Sequence, residues 1–208
     1  MSSKGSLAIV LHAHLPFVRH PEHPHFLEED WFFEAVAETY IPLIAMLERL
    51  AHDGIRPGLT ISLSPTLCAM LEDELLKKRT REYLENRLEL AQEEMTRISS
   101  GTQAKAAKMY QELYGQALSV MDRYSGDLIT PFKQAQQAGQ IELITCSATH
   151  AVLPLIAHPE SIRAQVSVAE EDYHDRFNRK SRGFWLPECA YDQRVPSFLK
   201  LSGLEYFF

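Results

Sequence analysis

Residues 6–14, SLAIVLHAH, decide how this chain folds. The segment SLAIVL at residues 6–11 is a continuous apolar run, as expected of a strand that is covered on both faces in a parallel sheet. The run ends in His12 and His14, and their two-residue spacing places both side chains on one side of the strand or its extension. The sequence therefore predicts a buried strand with two histidines at its carboxyl end.

Three further segments repeat this pattern, in which an apolar strand ends at a polar residue. The predicted strands are LTISL at residues 59–63, IELIT at 141–145 and GFWLP at 183–187. The polar residues that follow them are Ser64, His150 and Glu188. Because the carboxyl ends of parallel strands carry the chemistry of α/β folds, we expect the four strand ends to converge on one active site.

Helical patterns separate the strands. The predicted helices cover about residues 31–53, 66–138, 159–178 and 192–201. Pro42 should kink the first helix or divide it, and Ser64 should cap the second, which breaks near residues 99–101 and 125–126. The alternation of strands and helices predicts an α/β fold with a parallel sheet, in which the stretch 66–138 is a helical insertion.

Composition and charge argue against several classes of protein. The 208 residues are 45% hydrophobic and 24% charged, which is ordinary for a globular chain. The net charge is −7 and the basic residues are dispersed, which argues against a nucleic-acid partner. Neither GxGxxG after the first strand nor GxxxxGK[ST] occurs, so nucleotide sites of those types have no support.

The cysteines and the amino terminus predict the cellular environment. Cys68, Cys146 and Cys189 are an odd number and form no CxxC pair, which indicates a reduced, intracellular protein. The apolar run before His12 is too short for a signal-peptide core or a membrane span. We therefore expect a cytoplasmic protein that has no membrane partner.

Four segments occur in the order and at the spacing of a known family. They are HAHLPFV at residues 12–18, WFFEAVAETYIPLI at 31–44, TCSATHAVLPL at 145–155 and FWLPECAY at 184–191. In these segments the chain resembles glycoside hydrolase family 57, and within it the 1,4-α-glucan branching enzymes. The resemblance extends over essentially the whole chain.

The resemblance implies a fold and a reaction. The fold is an incomplete parallel (β/α)7 TIM-like barrel, and residues 1–208 would be the amino-terminal part of this catalytic domain, truncated after about five strands. The reaction retains the anomeric configuration, uses two carboxylates and needs no cofactor or metal. Glu188 stands at the position of the nucleophile. A sugar 6-hydroxyl would attack its glycosyl ester and form an α-1,6 branch in an α-1,4-glucan.

The resemblance also implies the contacts with the substrate. His12, His14 and His150 would hydrogen-bond the hydroxyls of the sugar that is transferred. Trp185 and Tyr191 would stack on sugar rings, although Trp185 is equally suited to filling the barrel interior.

The second carboxylate of the family, an aspartate in a later segment, has no matching motif in this chain. Asp192 and Glu205 lie in the right region, but neither fits the acid/base motif. We therefore expect the remainder of the catalytic domain to be missing and the 208-residue chain to be inactive alone. The apolar segment LEYFF at residues 204–208 should then form an exposed sheet edge.

Two alternatives remain open at this point. HxH at the end of a first barrel strand also marks metal-dependent, amidohydrolase-like hydrolases, in which His12 and His14 would ligate a divalent metal. His150 would be the third ligand and Glu188 a carboxylate ligand or bridge. The other alternative is a non-catalytic glucan-binding fragment, which shares the pocket but does not turn substrate over.

Overall fold

An all-parallel sheet runs through residues 5–208, the part of the chain that the computed structural model describes. Its strands are β1 (Val10–Ala13), β2 (Leu59–Leu63), β3 (Ile141–Cys146), β4 (Gly183–Trp185) and β5 (Tyr206–Phe207). They lie side by side in chain order, and each neighbouring pair is parallel. This arrangement confirms the predicted α/β class.

Helices connect the strands. Within residues 5–208 they are α1 (Leu27–Ala35), α2 (Ile41–His52), α3 (Pro65–Glu72), α4 (Glu74–Arg97), α5 (Gly101–Arg123), α6 (Ile129–Gln137), α7 (Pro159–Phe177) and α8 (Val195–Leu201). A π-helical turn at Val36–Tyr40 joins α1 to α2, and 3₁₀ turns lie at Leu153–Leu155 and Pro187–Cys189. None of these helices combines the length and the apolar character that crossing a membrane requires.

The described residues divide into two compact units. The sheet unit comprises residues 5–17, 53–69 and 132–208 and contains all the strands. The helical unit comprises residues 18–52 and 70–131 and holds α1, α2, α4 and α5. One hydrophobic cluster of the sheet unit consists of Leu153, Ile162, Val166, Phe184, Leu186, Val195, Leu199 and Leu204. This cluster joins β4 to α7 and α8 and so fixes the end of β4 from which the candidate site extends.

Two predicted helix features are present. The backbone N–H of Leu67 donates to Ser64 Oγ over 3.2 Å, so Ser64 caps α3 as expected. Pro42 lacks an N–H, and in a regular α-helix its ring would clash with the carbonyl of Glu38. The π turn at Val36–Tyr40 widens the helix just before Pro42 and accommodates it.

Two local predictions were wrong. The first strand covers Val10–Ala13 instead of residues 6–11, and it is not covered on both faces, since the side chain of Leu11 is 38% exposed. Leu7 and Ile9, which precede the strand, are 86% and 48% exposed. Among the described strands, β1 pairs with β2 alone and is therefore an edge strand. The stretch 66–138 also contains one break more than predicted, at Asp73, whose side chain accepts the N–H of Leu76 over 3.0 Å and starts α4.

Candidate active site

The parallel register of β1 and β2 places a serine beside each histidine of the HxH segment. His12 is the register partner of Ser62, and its Nδ1 lies 3.1 Å from Ser62 Oγ. One step further along, His14 Nδ1 lies 3.0 Å from Ser64 Oγ. Both serines are fully buried, so their hydroxyls have little freedom and hold the two imidazole rings in place.

His150 joins this pair from the loop after β3. Its Nε2 lies 2.9 Å from Nε2 of His12, and its ring stacks on that of His14 with centroids 3.5 Å apart and planes at 6°. A nitrogen–nitrogen contact of this length is a hydrogen bond, which requires one ring to donate and the other to accept. The three histidines, which were predicted at two strand ends, therefore form one cluster.

The three rings are driven towards the neutral form. Burial lowers the pKa of His12 to about 4, and the positive charge that His150 and His14 would carry adds to the effect. Burial, with the charge of His150, likewise lowers the pKa of His14 to about 4. Burial also lowers the pKa of His150, while the carboxylate of Glu188 acts in the opposite direction. At neutral pH the cluster presents uncharged nitrogen donors and acceptors, which suit the hydroxyl groups of a neutral substrate.

Trp185 forms one side of the cluster. It lies at the end of β4, where Cys146 of β3 is its register partner. Its indole stacks on the ring of His12 with centroids 4.6 Å apart and planes at 8°. The indole thus helps to fix His12 in addition to any contact that it makes with a substrate.

Glu188 follows β4 in an unusual backbone conformation. Its φ is 56° and that of Cys189 is 53°, so two consecutive residues that are not glycine adopt the left-handed region. Each such residue costs about 1–3 kcal/mol and persists only where its surroundings enforce it. Here the N–H groups of Cys189 and Ala190 donate to the carbonyls of Leu186 and Pro187 over 2.8 and 3.1 Å. This turn presents the Glu188 side chain to solvent, within electrostatic reach of His150.

The remaining candidates engage other partners. Tyr191 is exposed, and its ring stacks on Phe207 at 6.1 Å, whereas Trp185 stacks on the histidine cluster. Asp192 accepts from Arg194 Nε over 3.0 Å. The Arg194 guanidinium and backbone N–H lower the pKa of the Asp192 carboxyl. A general acid needs a raised pKa, so this geometry does not favour Asp192 in that role.

Glu205 is held in a similar way. It accepts from Arg182 Nη2 over 2.9 Å, and this guanidinium lowers the pKa of the Glu205 carboxyl. Glu205 is therefore an ion-pair partner on the surface of the sheet unit.

The structure also identifies a residue that sequence reasoning missed. Ser62 lies inside β2 and contacts His12. The pattern of polar residues after apolar strands predicts only Ser64, which follows the strand. The sequence does contain a feature that could have predicted Ser62. Ser62 and Ser64 are two residues apart, as are His12 and His14, so each pair lies on one side of its strand.

The metal-dependent alternative would require ligand side chains that converge on one ion. Within residues 5–208, no group of three or more histidine, cysteine, aspartate or glutamate side chains is arranged to hold a metal ion. The Nε2 atoms of His12 and His150 lie 2.9 Å apart and hydrogen-bond each other.

Comparison with known proteins identifies the family. The sequence profile of glycosyl hydrolase family 57 matches residues 8–208. A 1,4-α-glucan branching enzyme from Thermococcus kodakarensis is 37% identical over 221 residues, which cover 99% of this chain and 32% of that enzyme. The chain thus spans about a third of the length of this curated relative.

Comparison with solved structures is consistent with this family. A family 57 branching enzyme from Pyrococcus horikoshii has a TM-score of 0.92 and 36% identity, with coverage of 99% of this chain and 42% of that chain. An α-amylase, AmyC, from Thermotoga maritima has a TM-score of 0.91 and 41% identity, with coverage of 99% and 40%. The parallel sheet therefore corresponds to part of the (β/α)7 barrel of these enzymes, and the chain is homologous to family 57 branching enzymes. The chain belongs to glycosyl hydrolase family 57.

Proposed function

We propose that this chain carries the nucleophile and part of the donor-sugar site of a 1,4-α-glucan branching enzyme. One observation supports this most directly. The neutral cluster of His12, His14 and His150 lies at the strand ends beside an exposed carboxylate, Glu188, in a chain that matches branching enzymes over 99% of its length. The substrate would be an α-1,4-glucan, and we propose a role in building glycogen-like polymers.

Glu188 is the proposed nucleophile of a retaining mechanism. Its carboxylate would attack the anomeric carbon and form a glycosyl ester, while a second carboxyl about 5–5.5 Å away protonates the leaving oxygen. Asp192 and Glu205 are engaged with arginines and are poor candidates for that acid. Because the matched relative is about three times as long as the match, we propose that its remaining segments include the acid/base aspartate.

The histidines are proposed to hold the sugar that is transferred. Neutral imidazoles both donate and accept, as a hexose with several hydroxyl groups requires. Ser62 and Ser64 would keep His12 and His14 oriented for these contacts. Trp185 and Tyr191 are proposed to contact sugar rings, and for Tyr191 the partner ring of Phe207 would extend the stacking surface.

The acceptor of the glycosyl group decides between two activities. A sugar 6-hydroxyl gives an α-1,6 branch, whereas water gives hydrolysis. The structure 41% identical to this chain is that of an α-amylase, and this favours hydrolysis as a second candidate function. New α-1,6 branch points in amylose, measured by debranching, would support branching. New reducing ends without branch points would support hydrolysis.

We propose the cytoplasm as the compartment and residues 1–208 as one segment of a barrel catalytic domain with a helical insertion at about 66–138. Cys146 and Cys189 form no disulfide within residues 5–208, as expected in a reducing environment.

The nucleophile can be tested with an activated donor. In α-maltosyl fluoride the leaving group departs as fluoride without protonation, so the test does not require the second carboxyl. A Glu188 oxygen would bond to the anomeric carbon as the carbon–fluorine bond breaks, and intact mass spectrometry would record one added maltosyl group.

Two variants define the outcome of this experiment. Glu188→Gln should abolish the label, because the amide is a poor nucleophile. Glu205→Gln makes the same chemical change at the surface ion pair and should label like the wild type. Labelling of the Glu188→Gln variant equal to that of the wild type would show that Glu188 is misassigned.

A further inference from the structure

The helical unit contains a groove that the proposed reaction does not use. A cavity of about 540 Å³ lies between α4 and α5, and a second of about 530 Å³ adjoins it. The two cavities share the side chains of Tyr83, Arg87 and Leu90 and so lie next to each other along α4. Each has the size of a typical small-molecule site, roughly 300–1,000 Å³. We call this feature the α4 groove.

Tyrosine rings line the α4 groove. Tyr110 and Tyr114 are one turn apart on α5, with ring centroids 5.7 Å apart and planes at 17°. Tyr83 of α4 contributes a third ring, and the Arg87 guanidinium lies 4.9 Å from its centroid. Tyr110 is 38% exposed, so a ligand that enters the groove can reach its ring. Together these rings provide flat apolar surfaces beside polar groups.

Hydrogen-bonding groups of both kinds surround the rings. The carboxylates of Glu34 and Glu38 line the groove and supply acceptors. Burial, with Tyr83 and Glu38 adding to it, raises the pKa of Tyr114 to about 12, so its hydroxyl remains a donor at any physiological pH. Arg97, whose Nε donates to Glu94 over 3.0 Å, adds further N–H groups near the end of α4.

This combination favours a neutral ligand. The six carboxylates of the lining would repel an anion; they are those of Glu29, Asp30, Glu34, Glu38, Glu82 and Glu94. A cation would meet three guanidiniums, those of Arg79, Arg87 and Arg97, and Arg87 already lies over the ring of Tyr83. A molecule with apolar faces for the tyrosines and many hydroxyls for both donors and acceptors satisfies the lining. Saccharides have this chemistry.

We infer that the α4 groove binds a neutral oligosaccharide, separately from the strand-end site of the sheet unit. Its length supports an oligosaccharide rather than a single sugar, because the lining residues of α4 extend from Arg79 to Arg97, about 27 Å at 1.5 Å per residue. The identification of the oligosaccharide as an α-1,4-glucan rests on the proposed function. A glucan chain held here would stay bound to the protein between reaction cycles.

The inference can be tested by calorimetric titration of the 208-residue chain with maltoheptaose. The titrations use a His12→Ala/His14→Ala background, which removes the strand-end contacts, and circular dichroism confirms that each variant is folded. In this background Tyr110→Ala should weaken binding at least about fivefold, because it removes an aromatic contact. Met109→Ala is the matched control, since Met109 is 53% exposed on the same helix and does not line the groove. It should bind like the background protein.

Two results would overturn the site, and a third would change only the identity of the ligand. Undiminished binding by the Tyr110→Ala variant, or binding of neither maltoheptaose nor cellohexaose by the background protein, would overturn the site. Binding of cellohexaose but not of maltoheptaose, lost in Tyr110→Ala, would overturn the choice of an α-1,4-glucan and uphold an oligosaccharide groove. The binding of maltoheptaose and of cellohexaose does not depend on Glu188. A negative binding result is therefore distinguishable from a failure of the proposed reaction.

Discussion

Glu170 on α7 should make the stability of the sheet unit depend on pH near neutrality. Its Oε1 atom is buried and has no hydrogen-bond partner within residues 5–208. Burial raises the pKa of the Glu170 carboxyl to about 7, although the backbone N–H of Ser181 and the charge of Lys180 act in the opposite direction. The folded protein therefore keeps this proton over a range in which the unfolded chain has already released it.

The sign and size of the effect follow from proton linkage. Below the ordinary pKa of 4.5 the carboxyl is protonated in both states, and its contribution to stability is fully present. Between pH 4.5 and about 7 the free energy of unfolding falls by up to about 1.4 kcal/mol per pH unit. The sum is at most about 3 kcal/mol, and solvent screening of a partly exposed group reduces it to ~1–2 kcal/mol. This corresponds to a fall in Tm of about 2–8 °C.

Thermal unfolding of the wild type and Glu170→Gln, followed by circular dichroism from pH 4 to 8.5, measures this effect. Glutamine resembles the protonated carboxyl at every pH, so the two proteins should have similar Tm values at pH 4. The variant should be the more stable protein at pH 8. Glu171→Gln is the matched control, because Glu171 is exposed at the next position of α7. A Tm difference between the wild type and Glu170→Gln that does not change with pH would refute the reasoning.

Two further predictions concern the strand-end cluster. Ser62→Ala removes the buried hydroxyl beside His12 Nδ1 and should lower the free energy of unfolding by about 0.5–1.5 kcal/mol. It should also weaken maltoheptaose binding more in the wild-type background than in a His12→Ala background; equal weakening in both would mean that Ser62 does not act through His12. Elemental analysis of the purified protein should find no stoichiometric zinc, manganese or iron, because the histidines are proposed to hold hydroxyls. About one equivalent of metal, whose removal by chelation abolished activity, would instead support the metal-dependent hydrolase.

The sequence predicted the central strands best. LTISL was expected at residues 59–63 and forms β2 at Leu59–Leu63, and β3 extends only one residue beyond its predicted end. These segments are apolar runs, and the fold buries them, so their hydrophobic pattern predicts their position in the sheet correctly. The pattern fails at β1, where an equally apolar run lies at the edge of the described sheet. Hydrophobicity alone does not reveal whether a neighbouring strand or helix covers it.

The position of the candidate residues was predictable to the level of strand ends, but their side-chain contacts were not. Polar residues that follow apolar runs made His12, His14, His150 and Glu188 the candidates. The contact between His12 and Ser62 depends on the register of β1 with β2, which a single sequence does not specify. The break between α3 and α4 at Asp73 was also not predictable, because the residues on both sides of this cap continue one charged helical pattern.

The backbone conformation of the two loops that carry His150 and Glu188 was not predictable from residue type, and it bears on the proposed site. His150, Glu188 and Cys189 have positive φ angles, although glycine is the residue that favours this region. Glycine would relieve the strain but would remove the imidazole and the carboxylate that these positions present. The left-handed conformation at His150 and at Glu188 accompanies their electrostatic contact across two strand ends. Strain of this kind persists where a functional side chain must be directed from a fixed turn, which supports Glu188 and His150 as parts of one reaction site.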